Sequence, residues 1–148
     1  MVIPLKNEAA TAALGARIAK ALTSGDEILL SGPLGAGKTA LARAILRARG
    51  ITEHVPSPTF TLVQSYDTPG LTLHHFDLYR LKNPEEVNEL GLGEARDDGA
   101  VLIEWPERAP RAFGNDALRI EMRVTAENAR EAHVAGPERW RGVLVDRP

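Results

Sequence analysis

The run Gly32-Pro33-Leu34-Gly35-Ala36-Gly37-Lys38-Thr39 satisfies the G-x-x-x-x-G-K-[ST] pattern of a phosphate-binding loop. Each residue type in it has a physical task. Glycines let successive backbone N–H groups turn inward around phosphate oxygens, and Lys38 adds a point charge for the β- and γ-phosphates. The Thr39 hydroxyl suits Mg²⁺, and a helix starting at the loop directs its positive end at the same anion. Gly35, Ala36, Gly37, Lys38, Thr39 and Ala40 are therefore expected against a nucleotide. The chemistry this points to is ATP binding and hydrolysis with Mg²⁺ as the working metal.

A phosphate loop also needs a carboxylate from a neighbouring strand end to hold Mg²⁺, directly or through water. Ala100-Val101-Leu102-Ile103-Glu104 is an apolar run that ends in one, so Glu104 is the candidate, with an ordinary strand-end acid as the alternative. Asp77 ends a second apolar segment, where it either orients water at the site or caps a turn. His74 and His75 precede it. Neighbouring strand residues point to opposite faces, so the two do not make a metal-binding pair, and one of them is expected to pack or bond structurally. Trp105 either joins the core or forms an aromatic wall beside the nucleotide. Ser57-Pro58-Thr59-Phe60 lies after the first helix of the loop unit, where such proteins sense the γ-phosphate.

Local elements must position these groups. Residues 27–31 read as a short buried strand and 38–49 as a helix with Gly50 as its stop, which gives strand, glycine loop, helix. Ahead of them, Asn7 can cap a helix carrying Leu14, Ile18 and Leu22, which Ser24, Gly25 and Asp26 then break. Residues 59–66 and 71–76 read as a hairpin across Asp67-Thr68-Pro69-Gly70. Asn83 as cap, Pro84 and the acids Glu85 and Glu86 start a further helix that stops near Gly91. Residues 100–103 are a buried strand. Leu118, Ile120, Met122 and Val124 alternate with polar residues as a half-wet strand, on which 130–135 can pair back. The order implies an α/β domain with a mixed sheet.

Composition bounds the rest. A chain of 148 residues, 43% hydrophobic, supports one domain with one core, residues 1–148. It has no cysteine, which excludes disulfides and thiolate metal sites. Charged residues interrupt the alanine-rich N-terminus before any signal-peptide or membrane-spanning length, so a cytoplasmic protein is expected. The formal net charge of −2 lacks the basic surplus of a protein that grips nucleic acid alone. Arg43 and Arg47, four apart after the loop, read as a solvated helix face.

The phosphate loop, Ser57-Pro58-Thr59-Phe60, His75-Phe76-Asp77-Leu78-Tyr79-Arg80 and Ile103-Glu104-Trp105-Pro106 together resemble the TsaE family, formerly YjeE, in the family's own order. The resemblance runs from about residue 8 to about residue 136. It implies a P-loop NTPase-like three-layer α/β domain with a mixed parallel and antiparallel central sheet. It also implies a bacterial ATPase that supports threonylcarbamoyladenosine formation at position 37 of tRNAs reading codons that begin with adenosine. By the same resemblance Lys38 acts on the phosphates, Thr39 and Glu104 hold Mg²⁺, Asp77 belongs with Lys38 to the catalytic centre, and Trp105 neighbours the nucleotide. Thr11 resembles the family's N-terminal segment near the base, and Arg130 an arginine of its C-terminal hairpin. TsaD and TsaB are the implied partners; they bind the tRNA and carry out the transfer, so contact with tRNA is indirect and the ATPase is weak alone. Pro33 departs from the family, which commonly has Asp or Asn there; proline lacks an N–H and fixes φ.

Three rivals share some of these features. Asp67-Thr68-Pro69-Gly70 matches the Asp-x-x-Gly segment of GTPases, but it follows a polar stretch and no Asn-Lys-x-Asp guanine-reading segment occurs. A small P-loop kinase would need an acceptor-binding insertion and a lid, for which the chain leaves little room. A module that merely holds ATP is the third.

Overall fold

The computed structural model describes residues 1–52 and 62–144. The segment Ser57-Pro58-Thr59-Phe60 and the start of the expected first hairpin strand lie outside the described residues. Strand β1 (Val2–Leu5) leads into α1 (Glu8–Ala21), where the Asn7 side chain accepts the Ala10 N–H at 2.9 Å as a helix cap. Leu14 and Ile18 fall on its buried face, as their spacing requires. Strand β2 (Glu27–Ser31), the phosphate loop and α2 (Lys38–Ala48) follow in the expected order.

Strands β3 (Val63–Thr68) and β4 (Leu71–Asp77) form the hairpin. Its turn is tighter than the sequence suggests, because Asp67 and Thr68 remain paired with Thr72 and Leu71 and leave only Pro69 and Gly70 to turn. The expected helix after Asn83 starts later, at Glu86, and stops before Gly91 as expected: α3 is Glu86–Glu89, and a separate α4 (Leu92–Asp98) begins immediately beyond Gly91. The Glu86 carboxylate accepts the backbone N–H of Asn83 at 2.9 Å, so the acid and not the Asn83 side chain closes the helix start. Strand β5 (Gly99–Glu104), two 3₁₀ turns, β6 (Leu118–Ala126), β7 (Ala129–Ala135) and α5 (Arg139–Leu144) complete the described chain.

All the strands join one 7-stranded sheet in the order β1-β7-β6-β2-β5-β4-β3. Strand β2 runs parallel to β5 and β6, and β4 parallel to β5, whereas β3, β7 and β1 pair antiparallel at the margins. Side-chain alternation divides the core. Ile28, Leu30, Ala100 and Leu102 pack with residues of α1, α2 and α5, while Leu29, Val101, Ile103 and Phe76 pack with Val87, Leu92 and Ala95 of α3 and α4. This is a three-layer α/β architecture with a mixed sheet. Among the described residues no helix is long and apolar enough to cross a membrane.

The loop helix α2 is seated by its crossing with α1. A Cβ built on Gly15 would lie 2.5 Å from the Ala44 Cβ and 3.0 Å from backbone atoms of Ala44 and Ile45, so only glycine allows this approach. Gly15→Ala is expected to lower stability by about 1–3 kcal/mol through overpacking. Gly93→Ala, whose Cβ would meet nothing within 4 Å, should leave stability unchanged or raise it by about 0.4–1 kcal/mol. Thermal unfolding of both variants checks the contrast; equal midpoints would mean that the α1–α2 crossing yields freely.

Candidate functional site

Parallel pairing brings the carboxyl ends of β2, β5 and β4 to one edge. In register, Leu30 lies beside Glu104 and Glu104 beside Asp77, so both candidate acids stand where β2 hands over to the phosphate loop. The loop's first glycine is fixed twice over. Gly32 has φ +131°, and a Cβ there would lie 2.4 Å from the Met122 carbonyl oxygen. Gly37 occupies the N-cap position of α2 with no side-chain cap, so the helix's first N–H groups are left for an anion. Pro33 fits this loop, since its carbonyl accepts the Ala36 N–H at 3.1 Å.

Lys38 is buried and folded back on the loop. Its Nζ donates to the Gly32 carbonyl at 2.5 Å and the Pro33 carbonyl at 2.9 Å, and lies 4.1 Å from the centroid of the Trp105 ring. Burial holds the Lys38 ammonium below its ordinary pKa, against the upward pull of Glu104, Glu107 and Asp77. Trp105 reaches the site by a left-handed backbone, φ +60°, and also packs against Tyr79 at 4.8 Å between ring centroids.

Glu104 is 2% exposed, yet both its oxygens are engaged. Thr39 Oγ1 donates to Oε1 at 2.6 Å, and His75 Nε2 lies 2.6 Å from Oε2. Burial alone would raise this carboxyl. Its hydrogen bonds to His75 and to the Thr39 hydroxyl, with the Lys38 charge, together outweigh burial and hold it below its ordinary value. Asp77 is 5% exposed and accepts the Tyr79 backbone N–H at 3.0 Å. It is thus a turn-capping residue and a site-lining acid at once.

A cavity of about 430 Å³ opens over the loop, lined among others by Gly35, Lys38, Thr39, Asp77, Glu104 and Trp105. A second cleft of about 320 Å³ adjoins it, with Thr11, Arg43, Arg47 and Asn128 in its walls. Gly37, Ala40 and Arg130 line both, so the two form a continuous trough. Among the described residues the structure therefore brings together the expected site residues except Ala36, which is fully buried in the loop and lines neither space, whereas Ser57-Pro58-Thr59-Phe60 lies outside them. Arg43 and Arg47 face the cleft beside Thr11, where the sequence read only a solvated helix face. The histidines separate as alternation requires: His75 turns to Glu104, while His74 lies 2.7 Å from Ser65 Oγ and 2.5 Å from Asp98 Oδ1. Sequence reasoning left open which histidine mattered. Asp67 lies in β3 at the turn end of the hairpin, opposite the end of β4 that carries Asp77, which removes the geometric basis of the GTPase match.

Residues 5–132 match the family model described as threonylcarbamoyl adenosine biosynthesis protein TsaE. The chain belongs to the TsaE family. The tRNA threonylcarbamoyladenosine biosynthesis protein TsaE of Rickettsia felis is 42% identical over 127 residues, covering 85% of this chain and 74% of that protein. Its namesake from Nostoc sp. is 44% identical over 135 residues, covering 88% of this chain and 82% of that protein. The crystal structure of Bacillus subtilis YdiB superposes with a TM-score of 0.77 at 26% identity, covering 97% of this chain and 90% of that one. The TsaE resemblance read from the short motifs thus extends over most of the chain.

The Glu104 pairing has a pH signature. Its folded pKa lies below its unfolded one, so the charge contributes stability that is present above about 4.5 and is lost as pH falls through the folded value. The wild type is expected to be more stable than Glu104→Gln at neutral pH, with the gap in unfolding midpoint closing below about 4.5. A gap that stays constant into acid contradicts the charged pairing.

Proposed function

We propose that the chain binds ATP with Mg²⁺, hydrolyses it, and thereby supports tRNA threonylcarbamoyladenosine formation. The observation that carries this reading is the Thr39–Glu104 hydrogen bond of 2.6 Å beside Lys38. A hydroxyl and a buried carboxylate at the phosphate loop are oxygen donors of the type Mg²⁺ takes. Among the described residues no cluster of three or more histidines or acids could cage a metal. That also suits Mg²⁺, which is commonly held by one or two protein oxygens, substrate phosphates and water. Thr39 and Glu104 would hold the ion, which when bound neutralises charge on the phosphates.

The chain's own groups divide the remaining work. Lys38 exchanges the Gly32 and Pro33 carbonyls for phosphate oxygens, and the N–H groups around Gly37 take the others. Asp77 orients the attacking water and acts with Lys38 at the catalytic centre. The neighbouring cleft takes the nucleoside, with Thr11 at the base and Arg130 between nucleoside and phosphates. Trp105 walls the phosphate side. With a net charge of −2 the chain carries no basic surplus for tRNA, which agrees with contact through TsaD and TsaB in the cytoplasm. ATP turnover in this reading resets that complex and is slow without it.

Substitutions separate these roles. Lys38→Ala should weaken ATP binding with or without metal, whereas Thr39→Ala and Glu104→Gln should lose mainly the Mg²⁺-dependent part. Asp77→Asn should retain ATP affinity and lose tenfold or more in turnover, about 1.4 kcal/mol of barrier per decade. Steady-state hydrolysis in the TsaD–TsaB complex over a Mg²⁺ series, with affinity measured separately, checks all four; wild-type turnover in Asp77→Asn reduces Asp77 to a turn residue. ATP should also be displaced by adenine nucleotides and not by GTP at comparable concentration. Competition titration reads this, and equal displacement by GTP refutes adenine selectivity.

A further inference from the structure

Among the described residues, His75 is the most deeply buried polar side chain, and the proposed chemistry gives it no task. Its side chain is 0% exposed, and it reaches the site only through Glu104, with Nε2 2.6 Å from Oε2. Its Nδ1 is buried and has no hydrogen-bond partner among the described residues. That asymmetry assigns the proton. Among the described residues an Nδ1–H would be a buried donor with nothing to receive it, whereas a proton on Nε2 meets a carboxylate oxygen, so the ring carries its hydrogen on Nε2.

The packing makes this donor rigid. His75 lies in the sheet with Gln64 of β3 and Leu102 of β5 as its register partners, and its lack of exposed surface leaves the ring no room to follow a moving acid. Glu104 hangs on rotatable bonds, and its two oxygens have different holders. Thr39 is a hydroxyl on the loop helix and can rotate its hydrogen away, whereas the hydrogen on His75 has no other acceptor among the described residues. A cation held by Thr39 and Glu104 would take Oε1 in place of the Thr39 hydrogen, while Oε2 would stay held by His75. The carboxylate then needs no reorientation to meet the cation, which lowers the reorganisation that binding requires.

We infer that His75 is a positioning residue that fixes the Glu104 carboxylate by donating from Nε2 to Oε2, so that Oε1 faces Thr39 and the Mg²⁺ of bound ATP. This deepens the function proposed above and rests on it. His74 provides an internal control, since it is the next residue in β4 but is tied to Ser65 and Asp98 on the other face.

The test compares His75→Leu, which removes the donor, with His75→Gln, whose amide nitrogen falls at the place of Nε2, and His75→Asn, whose amide nitrogen falls at the place of Nδ1. For each, and for His74→Gln, calorimetry gives ATP affinity in Mg²⁺ and in EDTA, with the unfolding midpoint recorded alongside. His75→Leu should lose about tenfold or more of the enhancement of ATP affinity by Mg²⁺ while its affinity in EDTA is retained. His75→Gln should recover most of it, His75→Asn should not, and His74→Gln should behave as wild type. Full enhancement in His75→Leu, or no advantage of Gln over Asn, overturns the inference. If His75→Leu does not fold, the Gln and Asn pair decides in the same way. Nitrogen NMR of the wild-type imidazole, read without nucleotide, should find Nε2 protonated and Nδ1 bare; the reverse overturns the inference. A wild type with no Mg²⁺ enhancement overturns the metal reading itself and the inference with it, an outcome distinct from enhancement that survives the loss of His75.

Discussion

A buried carboxylate has to be paired, and the site is arranged around that requirement at Glu104. Isolated in an apolar interior the charge would be strongly unfavourable, and a lone partner would leave one oxygen unsatisfied. Here the β5 carboxylate is bonded on one side to the first turn of α2 and on the other to the adjacent strand β4. One side chain therefore couples the phosphate loop, the central strand and the strand bearing Asp77. The parallel register of β2, β5 and β4 makes the coupling possible, since a one-residue slip would turn Glu104 to the other face of the sheet.

The loop above this carboxylate closes on itself. Lys38 satisfies its ammonium with the Gly32 and Pro33 carbonyls and the Trp105 ring, which offsets the desolvation of a nearly buried charge. An incoming phosphate competes with two carbonyl contacts, and the uncapped N–H groups at Gly37 favour the anion. In the proposed function the loop thus already has the shape a phosphate needs, with the lysine held inside it. Pro33 is compatible with this because the loop uses its carbonyl, whereas the N–H that proline lacks has no part in the contacts seen.

Legibility from sequence followed the range of the interactions. The glycine loop and its flanking strand and helix were readable because Gly32, Gly37, Lys38 and Thr39 act within a few residues of one another. The alternation of Leu118 to Val124 likewise exposed β6. Strand β1 was missed because Val2–Leu5 is held by pairing with β7 from the far end of the chain. The capping signals at Asn83 to Glu86 set the next helix start too early, since α3 begins only at Glu86, whereas its stop near Gly91 was readable. At the site, Glu104 and Asp77 could be named as strand-end acids, but which histidine faced Glu104 depended on sheet register. The facing of Arg43 and Arg47 into the cleft depends on how α1 and the β6–β7 turn pack beside α2.

The central claim is that Thr39 and Glu104 form a metal site completed by the phosphates of ATP. Mn²⁺ in place of Mg²⁺ tests it most directly, because its electron resonance reports both immobilisation by protein and hyperfine coupling to phosphorus. The account predicts that Mn²⁺ is immobilised by the wild type only when ATP is present, with phosphorus coupling, and that Glu104→Gln weakens the immobilised signal. An Mn²⁺–ATP signal that stays solution-like in excess protein, or immobilised Mn²⁺ without phosphorus coupling, would contradict it.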